Sequence, residues 1–141
     1  MNVIKLNYDE IPFWMKDNKY ILDGYIINTD REFIVSLFNL SNQTINIYTH
    51  VIGVIYSIYL GINIILNKDN IIEWLPFVFG SICVCLFSSI FHIMLSSSEV
   101  KMLYWAKMDY IGIICQISGG FITFVNLIFK DFNIKLFYTF I

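Results

Sequence analysis

Three long apolar runs, separated by short polar breaks, dominate the chain, and a stretch mixing charges with aromatics precedes them. Residues 45–66 contain no Asp, Glu, Lys or Arg. A helix of roughly 20 such residues covers a hydrocarbon core about 30 Å thick. Residues 71–95 form a second run, with Glu73 and Trp74 at its outer end and Pro76 in its first turns. The third covers 102–129, and Tyr110–Phe129 within it is free of charge. Lys130-Asp131 breaks that run, and apolar character resumes at Leu136. The last six residues would extend only about 9 Å as helix, enough to start a fourth span. The pattern predicts an all-α, multi-pass transmembrane bundle of three spans, an N-terminal interfacial helix and the start of a fourth span. The chain stops where that fourth helix begins, which reads as truncation.

The polar–apolar pattern divides the chain at about residue 44. In residues 1–44 the stretch 8–25 is too polar to span, and Trp14, Tyr20 and Tyr25 suit a membrane–water interface. Thr29 followed by Glu32 has capping-box spacing. Phe33, Ile34, Leu37, Phe38 and Leu40 then make one apolar face, predicting a short helix lying along the membrane. Residues 45–141 form the transmembrane domain.

Composition strengthens the membrane assignment. The chain is 57% hydrophobic and only 14% charged, against about 25% charged in soluble domains. A net charge of −2 argues against a nucleic-acid partner. Cys83, Cys85 and Cys115 all fall in apolar runs, in no zinc-knuckle spacing, and read as packing residues. No continuous apolar core opens the chain to act as a secretory signal.

Charge asymmetry predicts orientation. Lys5, Lys16, Lys19, Arg31, Lys101 and Lys107 lie on one side of the predicted spans, and Lys68, Lys130 and Lys135 on the other. The positive-inside rule then puts the N-terminus in the cytosol of an integral membrane protein. It does not choose between plasma membrane and internal membranes.

Two residues inside the apolar runs are chemically conspicuous, His92 and Asp109. An acidic side chain at mid-membrane costs about 2.5–3.5 kcal/mol on insertion scales, so it usually has a partner or a task. A hairpin turning near residue 100 would bring the two to similar depth. Ser88 precedes His92 by one helical turn, on the same face. One reading is a buried polar pair that fixes helix register. The other is a metal site, with His92 as ligand, Asp109 as ligand or water-orienting carboxylate, and Ser88 supporting the His. Gly119-Gly120 either permits close helix contact or is simply a weak point. His50, at the mouth of the first span, reads as an interfacial hydrogen-bonding residue.

Several motifs point to one family. Ser88-Ser89-Ile90-Phe91-His92 and Asp109-Tyr110-Ile111-Gly112-Ile113 resemble the S-x-x-x-H and D-Y-x-G-I elements of the progestin and adipoQ receptor family, which includes adiponectin receptors and is related to bacterial haemolysin III. Glu10-Ile11-Pro12-x-Trp14 and Asp17-Asn18-x-Tyr20-Ile21-x-x-Gly24-Tyr25 resemble the N-terminal motif of its eukaryotic branch, with Ile26 where that motif has Arg. Ser41–His50 resembles H-N-E-T-x-N-I-W-T-H, with Ser41, Gln43 and Tyr48 replacing its His, Glu and Trp. The resemblance implies seven helices and a zinc site, with His92 as metal ligand, Asp109 engaging the metal's water, and two further ligands in an H-x-x-x-H pair. That pair does not occur in this sequence.

Three functions follow. The chain is part of a receptor-like protein with a zinc-dependent hydrolase site for a lipid amide such as ceramide, incomplete here. Alternatively it signals in response to a ligand, with zinc structural, or it is a non-catalytic membrane anchor or interaction remnant. Membrane lipid is the expected partner in each, and any partner chain stays unidentified.

Overall fold

The computed structural model describes residues 5–16, 18–27, 35–67 and 70–140. Their order is β1 (Lys5–Leu6), a 3₁₀ turn (Phe13–Met15), β2 (Tyr25–Ile26), α1 (Val35–Phe38), α2 (Thr44–Asn67), α3 (Ile71–Met94), α4 (Glu99–Ile128) and α5 (Phe132–Phe140). Helices α2, α3 and α4 are long and apolar enough to cross a membrane. The predicted helical membrane bundle is therefore present, with each span displaced by no more than three residues at either end. The capping pattern at Thr29 and Glu32, and Phe33 and Ile34 of the surface helix, lie outside the described residues.

Two compact units divide these elements, and each is described by itself. The first comprises residues up to Val51 together with Phe87–Asp109. Its β1 and β2 pair antiparallel, Lys5 opposite Ile26 and Leu6 opposite Tyr25. This small ladder has no strand-like alternation behind it in sequence; it forms because the intervening chain packs on itself. Ile11, Met15 and Tyr25 make a core, with Trp14 packed against it. Tyr25 is fully buried, and its hydroxyl donates to the Ile21 carbonyl at 3.1 Å. The interfacial role expected of Tyr25 is thus corrected, because its polar tip is satisfied internally. Phe13 and Tyr20, by contrast, are almost fully exposed.

Gly24 ties this segment to the start of α2. Its φ of +82° is left-handed, where a Cβ is strained, and such a Cβ would also lie 3.4 Å from the Asn42 nitrogen. The Asn42 N–H donates to the Gly24 carbonyl at 2.9 Å. Ser41 and Thr44 then organise the helix start. Ser41 N–H donates to Thr44 Oγ1 at 2.7 Å, and Gln43 N–H donates to Ser41 Oγ at 3.2 Å. These bonds satisfy backbone donors at the helix start. Helix α4 begins at Glu99, earlier than the charge pattern alone suggests. The Met102 N–H reaches the Ser98 carbonyl at 2.9 Å, and Glu99 in the first turn complements the helix dipole.

The second unit comprises Ile52–Leu86 and Tyr110–Ile141. Here glycines let α3 and α4 approach almost backbone to backbone. A Cβ on Gly80 would lie 2.6 Å from the Cys115 carbonyl oxygen, and one on Gly112 would lie 2.9 Å from Val84 Cα. A Cβ on Gly119 would overlap the Pro76 carbonyl oxygen. The pairings 76 with 119, 80 with 115 and 84 with 112 run in opposite directions by three or four residues at a time, as an antiparallel pair requires. Gly119 therefore serves close contact, whereas a Cβ on Gly120 would meet nothing within 4 Å. Near the proline, the Phe77 N–H donates to the buried Thr123 Oγ1 at 3.2 Å, an interhelical bond suited to an apolar setting.

Candidate functional site: a histidine pair at the ends of two spans

The polar cluster lies in the first unit, where the opening turns of α2 and the closing turns of α3 supply its side chains. Its centre is His92, two residues before α3 ends. His92 Nδ1 lies 2.9 Å from Gln43 Oε1, and Asn46 Nδ2 donates to that same oxygen at 3.1 Å. An amide oxygen only accepts, so His92 Nδ1 carries the proton and Nε2 is its basic nitrogen. Gln43 is buried, which holds this arrangement away from solvent.

The second histidine is His50. Its ring stacks on His92 with centroids 5.6 Å apart and planes 11° from parallel. His50 Nε2 lies 3.1 Å from Ser88 Oγ, and Ser88 is buried one turn before His92. Ser88 thus engages His50 directly, while the proton on His92 Nδ1 faces Gln43. A cavity of about 10 Å³ adjoins His92, lined also by Met15, Asn42, Gln43 and Ser96. That is room for about one water and not for an acyl chain. Asn42 Nδ2 is buried there without a hydrogen-bond partner among the described residues.

Asp109 stands apart. It lies ten residues into α4, whereas His92 lies two from the end of α3. At 1.5 Å per residue, an antiparallel hairpin then offsets them by on the order of 10 Å along the axis. The turn centres near residue 97 rather than 100, because Ser98 starts α4 early. Asp109 is half-buried, and among the described residues it makes no hydrogen bond or ion pair.

A catalytic zinc takes about three protein ligands and leaves one position open. Among the described residues no three His, Cys, Asp or Glu side chains converge to hold a metal. His50 Nε2 is engaged by Ser88, and Asp109 is displaced along its helix. The described residues therefore do not by themselves fit a zinc centre.

Two members of the cluster escaped sequence reasoning. His50 was legible as a hydrogen-bonding residue but not as the neighbour of His92, because 42 residues separate them. Gln43 carried a weak signal, since it is an uncharged acceptor immediately before a charge-free span.

The chain resembles a family model and several known proteins over most of its length. The Haemolysin-III related family matches residues 38–141. The chain is 32% identical over 139 residues to Heptahelical transmembrane protein 1 of Arabidopsis thaliana, covering 89% of this chain and 42% of that protein. It is 37% identical over 134 residues to mouse Progestin and adipoQ receptor family member 3, covering 83% and 42%. To ADIPOR-like receptor IZH1 of Eremothecium gossypii it is 34% identical over 123 residues, covering 79% and 39%. The chain spans about two-fifths of the length of these curated relatives.

Proposed function

This chain belongs to the Haemolysin-III related family, and we propose that it acts within a receptor-like, multi-pass membrane protein whose functional centre is built around His92. The single observation that carries this reading is the His92 arrangement. Gln43 accepts a hydrogen bond from Nδ1, the kind of partner that orients a metal-binding imidazole. In the finer form of the proposal His92 would be one zinc ligand and Ser88 would support the cluster through His50, while Asp109, offset along α4, would reach the metal's water only in the complete bundle. The remaining ligands come from outside these 141 residues. Zinc held in that way would supply a water of lowered pKa, the chemistry that hydrolysis of a lipid amide such as ceramide would need.

The N-terminus lies in the cytosol in this proposal, and membrane lipid is the partner. An apolar groove of about 220 Å³ between α2 and α3, lined by Ile58, Ile62, Leu75, Val78 and Ile82, is suited to an acyl chain. The test joins this chain to the C-terminal remainder of the mouse relative and measures ceramide turnover in vesicles. Turnover abolished by chelation and restored by zinc is expected. Turnover indifferent to chelation would remove the hydrolase reading.

A non-catalytic anchor is the second reading. It is favoured by one observation, that no three ligating groups converge among the described residues. In that case the His50–His92 stack is a lock between helix ends, and the joined protein binds no zinc.

A further inference from the structure

We propose that Cys83 and Cys115 form a redox-sensitive pair that can be oxidised to a disulfide stapling α3 to α4. Both cysteines lie in the second unit. A disulfide requires Cα atoms about 4.4–6.8 Å apart, and two helices offer that only where their backbones nearly touch. Such contact occurs here. Gly80, one turn before Cys83, abuts the backbone of Cys115 and Gln116. Gly112, one turn before Cys115, abuts the backbone of Cys83 and Val84. Both cysteines therefore lie on the line of closest contact between the helices, about 4.5 Å apart along it.

The third cysteine supplies the contrast. Cys85 is two residues from Cys83, so on a helix it points to a different side. Its Sγ packs against Gly53 of α2, where a Cβ would lie 2.6 Å from the sulfur. The C-x-C spacing thus sends one thiol to α4 and the other to α2. All three cysteines are reduced in this structure and only partly covered.

The chemistry is a two-electron oxidation. Both S–H bonds break, one S–S bond forms, and two electrons and two protons pass to the oxidant. Because the pair lies within helices apolar enough for lipid, the oxidant is a lipid-soluble quinone, reduced to its hydroquinone. Soluble cytosolic thiol pools, which keep most intracellular cysteines reduced, reach such a pair poorly.

The full chain in detergent micelles is treated with a fully substituted benzoquinone, which has no open ring carbon for a thiol to add to. Remaining thiols are alkylated, and the digest is analysed by mass spectrometry. One Cys83–Cys115 linked peptide pair with alkylated Cys85 is expected, reversed by a phosphine reductant. Cys85→Ser should leave the link intact, and Cys83→Ser and Cys115→Ser should each abolish it while helicity by circular dichroism is retained. Because a quinone could be excluded by the micelle, copper–phenanthroline serves as a second oxidant. Three alkylated thiols after both treatments would overturn the proposal. So would a link that involves Cys85, or one that survives in Cys83→Ser.

Discussion

His50 and His92 stack ring on ring, 5.6 Å between centroids, although 42 residues separate them in the chain. Each ring is held on its own account, His50 by Ser88 and His92 by Gln43. Residues that share such an arrangement should not lose stability independently. In thermal unfolding of the purified chain, His50→Ala and His92→Ala together should cost less than the sum of the single losses, by about 1 kcal/mol. His92→Ala with Asp109→Ala should be additive, since the axial offset keeps those two apart. Additivity for the histidine pair would mean that the stack does not exist in solution.

Gln43 should act through His92. Gln43→Glu keeps an acceptor beside Nδ1 and should preserve the cluster. Gln43→Leu leaves the Nδ1–H of half-buried His92 without its buried acceptor, a loss of about 1–3 kcal/mol. Nitrogen NMR of the labelled imidazoles reports the tautomer directly. An Nδ1-protonated His92 in the wild type, lost in Gln43→Leu, is the expected outcome. An unchanged spectrum would show that Gln43 does not set the proton.

Gly119 and Gly120 should differ sharply. An added methyl at Gly119 meets the Pro76 carbonyl and forces the helices apart, costing about 1–3 kcal/mol. At Gly120 the same methyl meets nothing, and Ala should stabilise by up to about 1 kcal/mol through helix propensity. Equal effects in a denaturation series would argue against the α3–α4 register.

Orientation can be read with an engineered glycosylation site. Asn39-Leu40-Ser41 and Asn42-Gln43-Thr44 are acceptor sequences close to α2. A cytosolic N-terminus predicts no glycan on either, nor on an acceptor site added near residue 5. A glycan at the added site would invert the proposed topology.

Much of this architecture is legible in sequence, for a physical reason. Apolar runs long enough to cross lipid leave few alternatives, so the three spans are predictable to within three residues. The motif residues Ser88 and His92 both fall in the polar cluster at the ends of α2 and α3. What escapes is whatever depends on tertiary closure. Tyr25 looks interfacial until Ile11 and Met15 fold over it. Gly119 and Gly120 are indistinguishable until a neighbouring helix meets only one of them. The depth of Asp109 relative to His92 depends on where the turn falls, and a shift of about three residues in that turn separates side chains that symmetry about residue 100 would bring level.

We propose that His92 belongs to a metal centre this chain does not complete alone. Elemental analysis of zinc, after extensive dialysis, tests it most directly. The 141-residue chain should hold far less than one zinc per molecule. The same chain joined to the C-terminal remainder of the mouse relative should hold about one, and His92→Ala should remove it. Stoichiometric zinc on the 141-residue chain, or zinc that survives His92→Ala in the joined protein, would contradict the account.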